Sequence, residues 1–113
     1  MRIVFHPEVE REMDALPEKE RRAMGRAMDL LEEFGDRLGF PHQSHVAGAG
    51  GLRELRPRSG RSPWRAFYRR MGSTIVIGAI GPEAQVDRQG FRRAVARAGR
   101  RLAELRGAEG GSS

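Results

Sequence analysis

Residues 51–70 read GLRELRPRSGRSPWRAFYRR, and the way this stretch folds decides the rest. Residues 52–56 have the spacing of a strand, with Leu52, Glu54 and Arg56 on one face and Arg53 and Leu55 on the other. Residues 57–63 carry Ser-Gly turn chemistry between two prolines, and residues 64–71 predict a second, neighbouring strand. The stretch holds seven arginines and a single acid, Glu54. A sheet normally alternates apolar and polar residues so that one face can be buried. This much positive charge on two strands therefore predicts an open, phosphate-binding face, or else a solvated edge that discourages aggregation.

Downstream, Gly72 and Ser73 predict a tight turn into STIVIGAIG, the most apolar segment, which reads as a central strand covered on both faces. GPEAQ breaks it. From residue 88 to 105 a helix is predicted, with Phe91, Ala94, Val95, Ala98, Leu102 and Leu105 as its apolar stripe and Arg92, Arg93, Arg97, Arg100 and Arg101 around the rest. Upstream, residues 35–51 hold five glycines and a proline and read as a loop. Residues 2–5 (RIVF) predict a short strand, and helices over 7–15 and 17–34 form a hairpin joined at Pro17, with Gly35 as a C-cap. The order is strand, two helices, three antiparallel strands and a helix. It predicts an α+β fold in one domain over residues 1–106, followed by a frayed tail at 107–113. The helices are expected to cover one sheet face and leave the other concave and partly wet.

The chain has 113 residues, enough for one core. It has no cysteine, which excludes disulfides and cysteine-ligated zinc and suits a reducing, cytoplasmic setting. The opening residues MRIVFHPEVEREMD contain no long apolar run, so neither a signal peptide nor a membrane span is predicted. The net charge of +6 is unevenly placed. Residues 1–40 carry seven basic and ten acidic side chains, a balance of −3, and residues 41–113 carry fourteen and five, a balance of +9. All but one of the cations (Lys19) are arginines, whose planar donor fork suits phosphate and stacks on bases. A basic half on a small domain points to a polyanion, most often nucleic acid.

GLRELR followed by WRAFYRR, the apolar strand, the Ala/Arg helix and the opening FHPEVEREMDALP resemble the RelE/HigB-type toxins of bacterial type II toxin–antitoxin pairs, and among them the phage-derived HigB-like branch. The similarity runs to about Leu105. It implies a small RelE-like fold, an mRNA-cleaving endoribonuclease that acts without metal or cofactor, commonly in the ribosomal A site, and a cognate antitoxin with a helix-turn-helix domain. Relatives carry a Lys or Arg cluster after the central strand, where this chain reads Gly81-Pro82-Glu83-Ala84-Gln85 and returns to cations at Arg88, Arg92 and Arg93.

Cleaving RNA without metal requires a 2′-hydroxyl to lose its proton, the pentavalent phosphate to be stabilised and the leaving 5′-oxygen to gain a proton. Arg56 and Arg65, which match the family's basic positions, are expected to clamp the phosphate. Arg53, Arg58, Arg61, Arg69 and Arg70, with Arg88, Arg92 and Arg93, are candidates for gripping RNA backbone or for solvation alone. His45 is a candidate acid or base. His42 and His45 are spaced for a metal pair on a helix, but in a loop with no third ligand they predict none. Asp87 reads either as a catalytic carboxylate or as the N-cap of the last helix. Tyr68, on the opposite strand face from Arg65, is expected to pack its ring, and His6 is expected to be structural. Two other readings remain open: a non-catalytic RNA- or ribosome-binding domain, and a basic module for an acidic partner protein.

Overall fold

The computed structural model describes residues 1–111, with side chains to Arg106; residues 112 and 113 of the expected tail lie outside the described residues. The elements are β1 (Arg2–Phe5), α1 (Pro7–Asp14), α2 (Glu18–Phe34), β2 (Gln43–His45), β3 (Arg53–Leu55), β4 (Trp64–Met71), β5 (Thr74–Pro82) and α3 (Arg88–Gly111). The architecture is α+β, consistent with the small RelE-like fold.

Local chemistry sets the helix ends. His6 caps α1, its Nδ1 accepting the Glu8 N–H at 3.1 Å, and Glu8 and Glu10 sit in the first turn where the helix dipole favours anions. Gly35 ends α2 at φ +54°, in the left-handed region that a residue without Cβ adopts freely, and its N–H returns to Leu31 O.

The sheet has five strands in the order β1-β5-β4-β3-β2. β2 to β5 pair antiparallel, but β1 runs parallel to β5, from Arg2 opposite Thr74 to Phe5 opposite Ile77. The helical hairpin separates β1 from the other strands, so no tight turn dictates its direction. β2 lies inside the predicted glycine-rich loop. Gln-Ser-His has no apolar alternation, and only pairing with β3 makes it a strand.

The expectation of one covered and one open sheet face is corrected. One core joins Val9, Met24, Met28 and Leu31 of the hairpin to Leu55, Ala66, Tyr68, Ile75 and Ile77; a second joins Ala94, Ala98 and Leu102 of α3 to Leu52, Phe67, Val76 and Ala79. Phe67 and Ala66 point to opposite faces and both are fully buried, so each face needs a cover. α3 lies close to β5 because Gly78 and Gly81 leave room. A Cβ on Gly81 would overlap the Ala94 methyl, and one on Gly78 would stand 3.1 Å from Leu102 Cγ. Gly78 is also the bulged residue, since Phe67 pairs with Ala79 and Tyr68 with Ile77.

β1 ends at Phe5, so beyond Ile77 one edge of β5 has no strand beside it. Side chains from both helical layers fill that edge. Glu12 of α1 accepts the Ile80 N–H at 2.9 Å, Arg97 donates to Ile80 O at 3.1 Å and Arg101 to Gly78 O at 3.1 Å. Glu12 also pairs with Arg101 at 2.9 Å. Backbone groups that would otherwise be orphaned are satisfied, and the two helices are joined. Among the described residues no helix is long and apolar enough to cross a membrane.

Candidate nucleic-acid interface

The turn between β3 and β4 places the central arginines. Arg58, Ser59 and Gly60 have successive φ values of +54°, +56° and +93°. This tight left-handed path is held to α2 by Glu20, which accepts from Arg58 and, at 2.6 Å, from the Ser62 hydroxyl. Gly60 lies so near Arg56 that a Cβ there would stand 2.6 Å from Nη2.

Arg65 is only 2% exposed, and its five N–H groups all meet acceptors. Nη1 donates to Ser62 O (2.7 Å) and Trp64 O (3.0 Å), Nη2 to Gly60 O (3.3 Å) and Glu83 (2.7 Å), and Nε to Glu54 Oε1 (3.4 Å). Burial, and next the neighbouring Arg56 charge, push its pKa down, while Glu54 and Glu83 oppose the shift. Arg65 thus ties the turn, the start of β4 and the segment after β5 into one knot rather than standing open to a phosphate. Glu83 occupies the stretch where cations were expected and serves as its counter-charge.

Arg56 reaches the same Glu54 oxygen, at 3.3 Å, so the two arginines do converge. Its Nε donates to Pro41 O at 3.1 Å, and its guanidinium carbon sits 5.1 Å from the centre of the exposed Phe40 ring. Unlike Arg65, it opens into a hollow of about 210 Å3 between α2 and the turn, lined also by Arg26, Arg58 and His42 over an apolar floor of Ala23, Ala27 and Leu55. At the other end of β3 a second hollow, about 330 Å3, is lined by Asp36, Gln43, Arg53, Tyr68, Arg69 and Arg70. Of the sequence-predicted arginines, Arg56 and Arg58 therefore line one basin and Arg53, Arg69 and Arg70 the other.

His45 is exposed on the edge strand β2 opposite Arg53, away from Arg56 and Arg65. Asp87 caps α3, its Oδ1 accepting the Gly90 N–H at 2.9 Å. Arg58 is engaged by Glu20, and Arg61 is exposed with Nε on Arg58 O. Arg88, Arg92 and Arg93 are exposed on the first turns of α3; Arg88 and Arg92 flank a groove floored by Val46, Phe91 and Val95. Arg97 and Arg101 are taken up by the β5 edge. Tyr68 packs against the hairpin core and its pKa is pushed up to about 12 by burial, so its hydroxyl keeps its proton.

Sequence reasoning missed Glu54, Glu83 and Glu20. Their signal is present but faint: three acids in or facing a basic segment, with Glu54 shared by Arg56 and Arg65, Glu83 on Arg65 and Glu20 on Arg58.

Residues 11–79, more than half of the chain, match the family described as phage-derived protein Gp49-like (DUF891). The chain belongs to this family. The Gp49-like family is a RelE/toxin-like one, compatible with a toxin of a toxin–antitoxin pair. No curated protein matches the chain. Both basins beside β3 are lined entirely by residues within the segment that the family match covers.

Proposed function

We propose that this Gp49-like protein is the toxin of a type II toxin–antitoxin pair, a metal-independent endoribonuclease that cleaves mRNA on the ribosome in the cytoplasm and is held in check by a helix-turn-helix antitoxin. The observation that carries the reading is the Arg56 hollow, where Arg26, Arg56, Arg58 and His42 surround a space of about 210 Å3 on a family scaffold. Arg56 bonds Glu54 at 3.3 Å and Arg65 bonds it at 3.4 Å, longer than about 2.7–2.9 Å for well-formed charged bonds. An RNA phosphate oxygen competes for those donors. Arg65, held by Glu83, then supports the charge from behind. His42 is the side chain in that hollow whose imidazole can take up a proton. It takes the 2′-hydroxyl proton as the 2′-oxygen bonds to phosphorus and the bond to the 5′-oxygen breaks, leaving a cyclic phosphate and a free 5′-hydroxyl once that oxygen is protonated.

Induced expression is expected to arrest growth and to create new mRNA ends by primer extension. Arg56→Ala, in a protein that still unfolds cooperatively, should remove both. The second reading is an RNA- or ribosome-binding domain without cleavage. It is favoured by the complete use of Arg65 inside the fold and by Glu83 standing beside it. Translational arrest with no new mRNA ends selects it.

A further inference from the structure

The basin around Arg53 holds donors that the protein itself does not satisfy. Arg69 Nε is buried with no partner, and its Nη2 makes only a 3.4 Å bond to Ala49 O. Tyr68, only 4% exposed, also lines this hollow. Arg53 spends one N–H on Gln43 at 3.1 Å. Arg70 pairs with Asp36, but both are half exposed, and such surface pairs are weak, so the contact is readily exchanged. Buried donors without acceptors are rare in folded proteins. One of them, Arg69 Nε, belongs to a hollow of about 330 Å3 whose lining has two guanidiniums in excess of carboxylate.

We infer that this hollow is an oxyanion site for a phosphate group, and that the phosphate is carried by the same RNA strand that places another phosphate at Arg56. Arg53 opens β3 and Arg56 stands just past its end, three residues on, about 10 Å at 3.3 Å per extended residue. That is about three stacked nucleotides at roughly 3.4 Å each. The phosphate oxygens accept from Arg53, Arg69 and the neutral Tyr68 hydroxyl, and Arg70 swings from Asp36 to join them. The part that assigns the phosphate to RNA rests on the functional reading above; the oxyanion site itself does not.

The test uses the intact protein with its single tyrosine ring-labelled for NMR. Inorganic phosphate is added in one arm and a short single-stranded RNA in the other. Both are expected to move the Tyr68 ring signal and the Arg69 Nε–H signal, the RNA at lower concentration. Arg53→Gln is an exposed substitution that should leave folding intact. It is expected to weaken RNA binding about tenfold and to flatten the salt dependence by about 0.7 in log–log slope, the value for one phosphate contact on a single strand. Tyr68→Phe, which keeps the ring, should weaken phosphate binding without changing the fold. Shifts with inorganic phosphate alone support the oxyanion site and overturn RNA as its source. If neither probe moves these signals while RNA still binds in an Arg56-dependent way, the site is overturned and the toxin reading stands.

Discussion

Replacing Arg65 by alanine leaves Glu54 and Glu83 without the guanidinium between them, and breaking a buried pair typically costs about 3–5 kcal/mol. A large drop in the urea midpoint is expected for Arg65→Ala, and a smaller one for Arg65→Lys, which keeps the charge and loses the fork. Loss of toxicity in Arg65→Ala would thus report unfolding. Arg56→Ala is the more informative substitution, because Arg56 is 22% exposed against 2% for Arg65, and Glu54 keeps Arg65 as its partner when Arg56 is removed. The single tyrosine allows a clean measurement of another kind. Burial raises the Tyr68 pKa from 10.0 to about 12. A raised value means that the folded state holds the proton, so this contribution to stability is complete below pH 10 and is lost as pH rises through 12. Phenolate absorbance should therefore titrate near pH 12 in the folded protein, and a midpoint near 10 would contradict the buried ring.

At the scale of elements, the α3–β5 contact depends on Gly81. Gly81→Ala is expected to destabilise by about 1–3 kcal/mol through overpacking, and Ala94→Gly in the same chain to recover part of it, read by thermal unfolding. Glu12→Gln should cost about 1–3 kcal/mol, since Arg97 and Arg101 lose their counter-charge across the β5 edge. Most elements were legible: apolar spacing marked α2 and α3, and the continuous apolar run marked β5. What escaped was whatever depends on a partner far along the chain. β2 has no strand pattern of its own, and the parallel direction of β1 follows from no local rule. The two covered faces were implied by STIVIGAIG being apolar throughout, and the charge of the arginine strands masked it. The candidate site was legible as a set of cations. Which of them are neutralised from within was not, because Glu20 and Glu83 lie 38 and 18 residues from the arginines they hold.

For the molecule as a whole, the charge separation between the halves becomes spatial only in part. Eight arginines pair with carboxylates inside the described structure, which leaves Arg53, Arg61, Arg69, Arg88, Arg92, Arg93 and Arg100 among those without an ion pair. RNA affinity should fall steeply with salt, and Arg92→Gln should flatten that dependence without favouring one RNA sequence over another. The parallel seating of β1 on β5 has a temporal meaning. His6 N–H bonds to Ile77 O, and Glu12 waits for Arg97 and Arg101. Closing β1 and α1 onto the sheet therefore awaits residues from Ile77 onward, and contacts of such long sequence separation are expected to form late in folding.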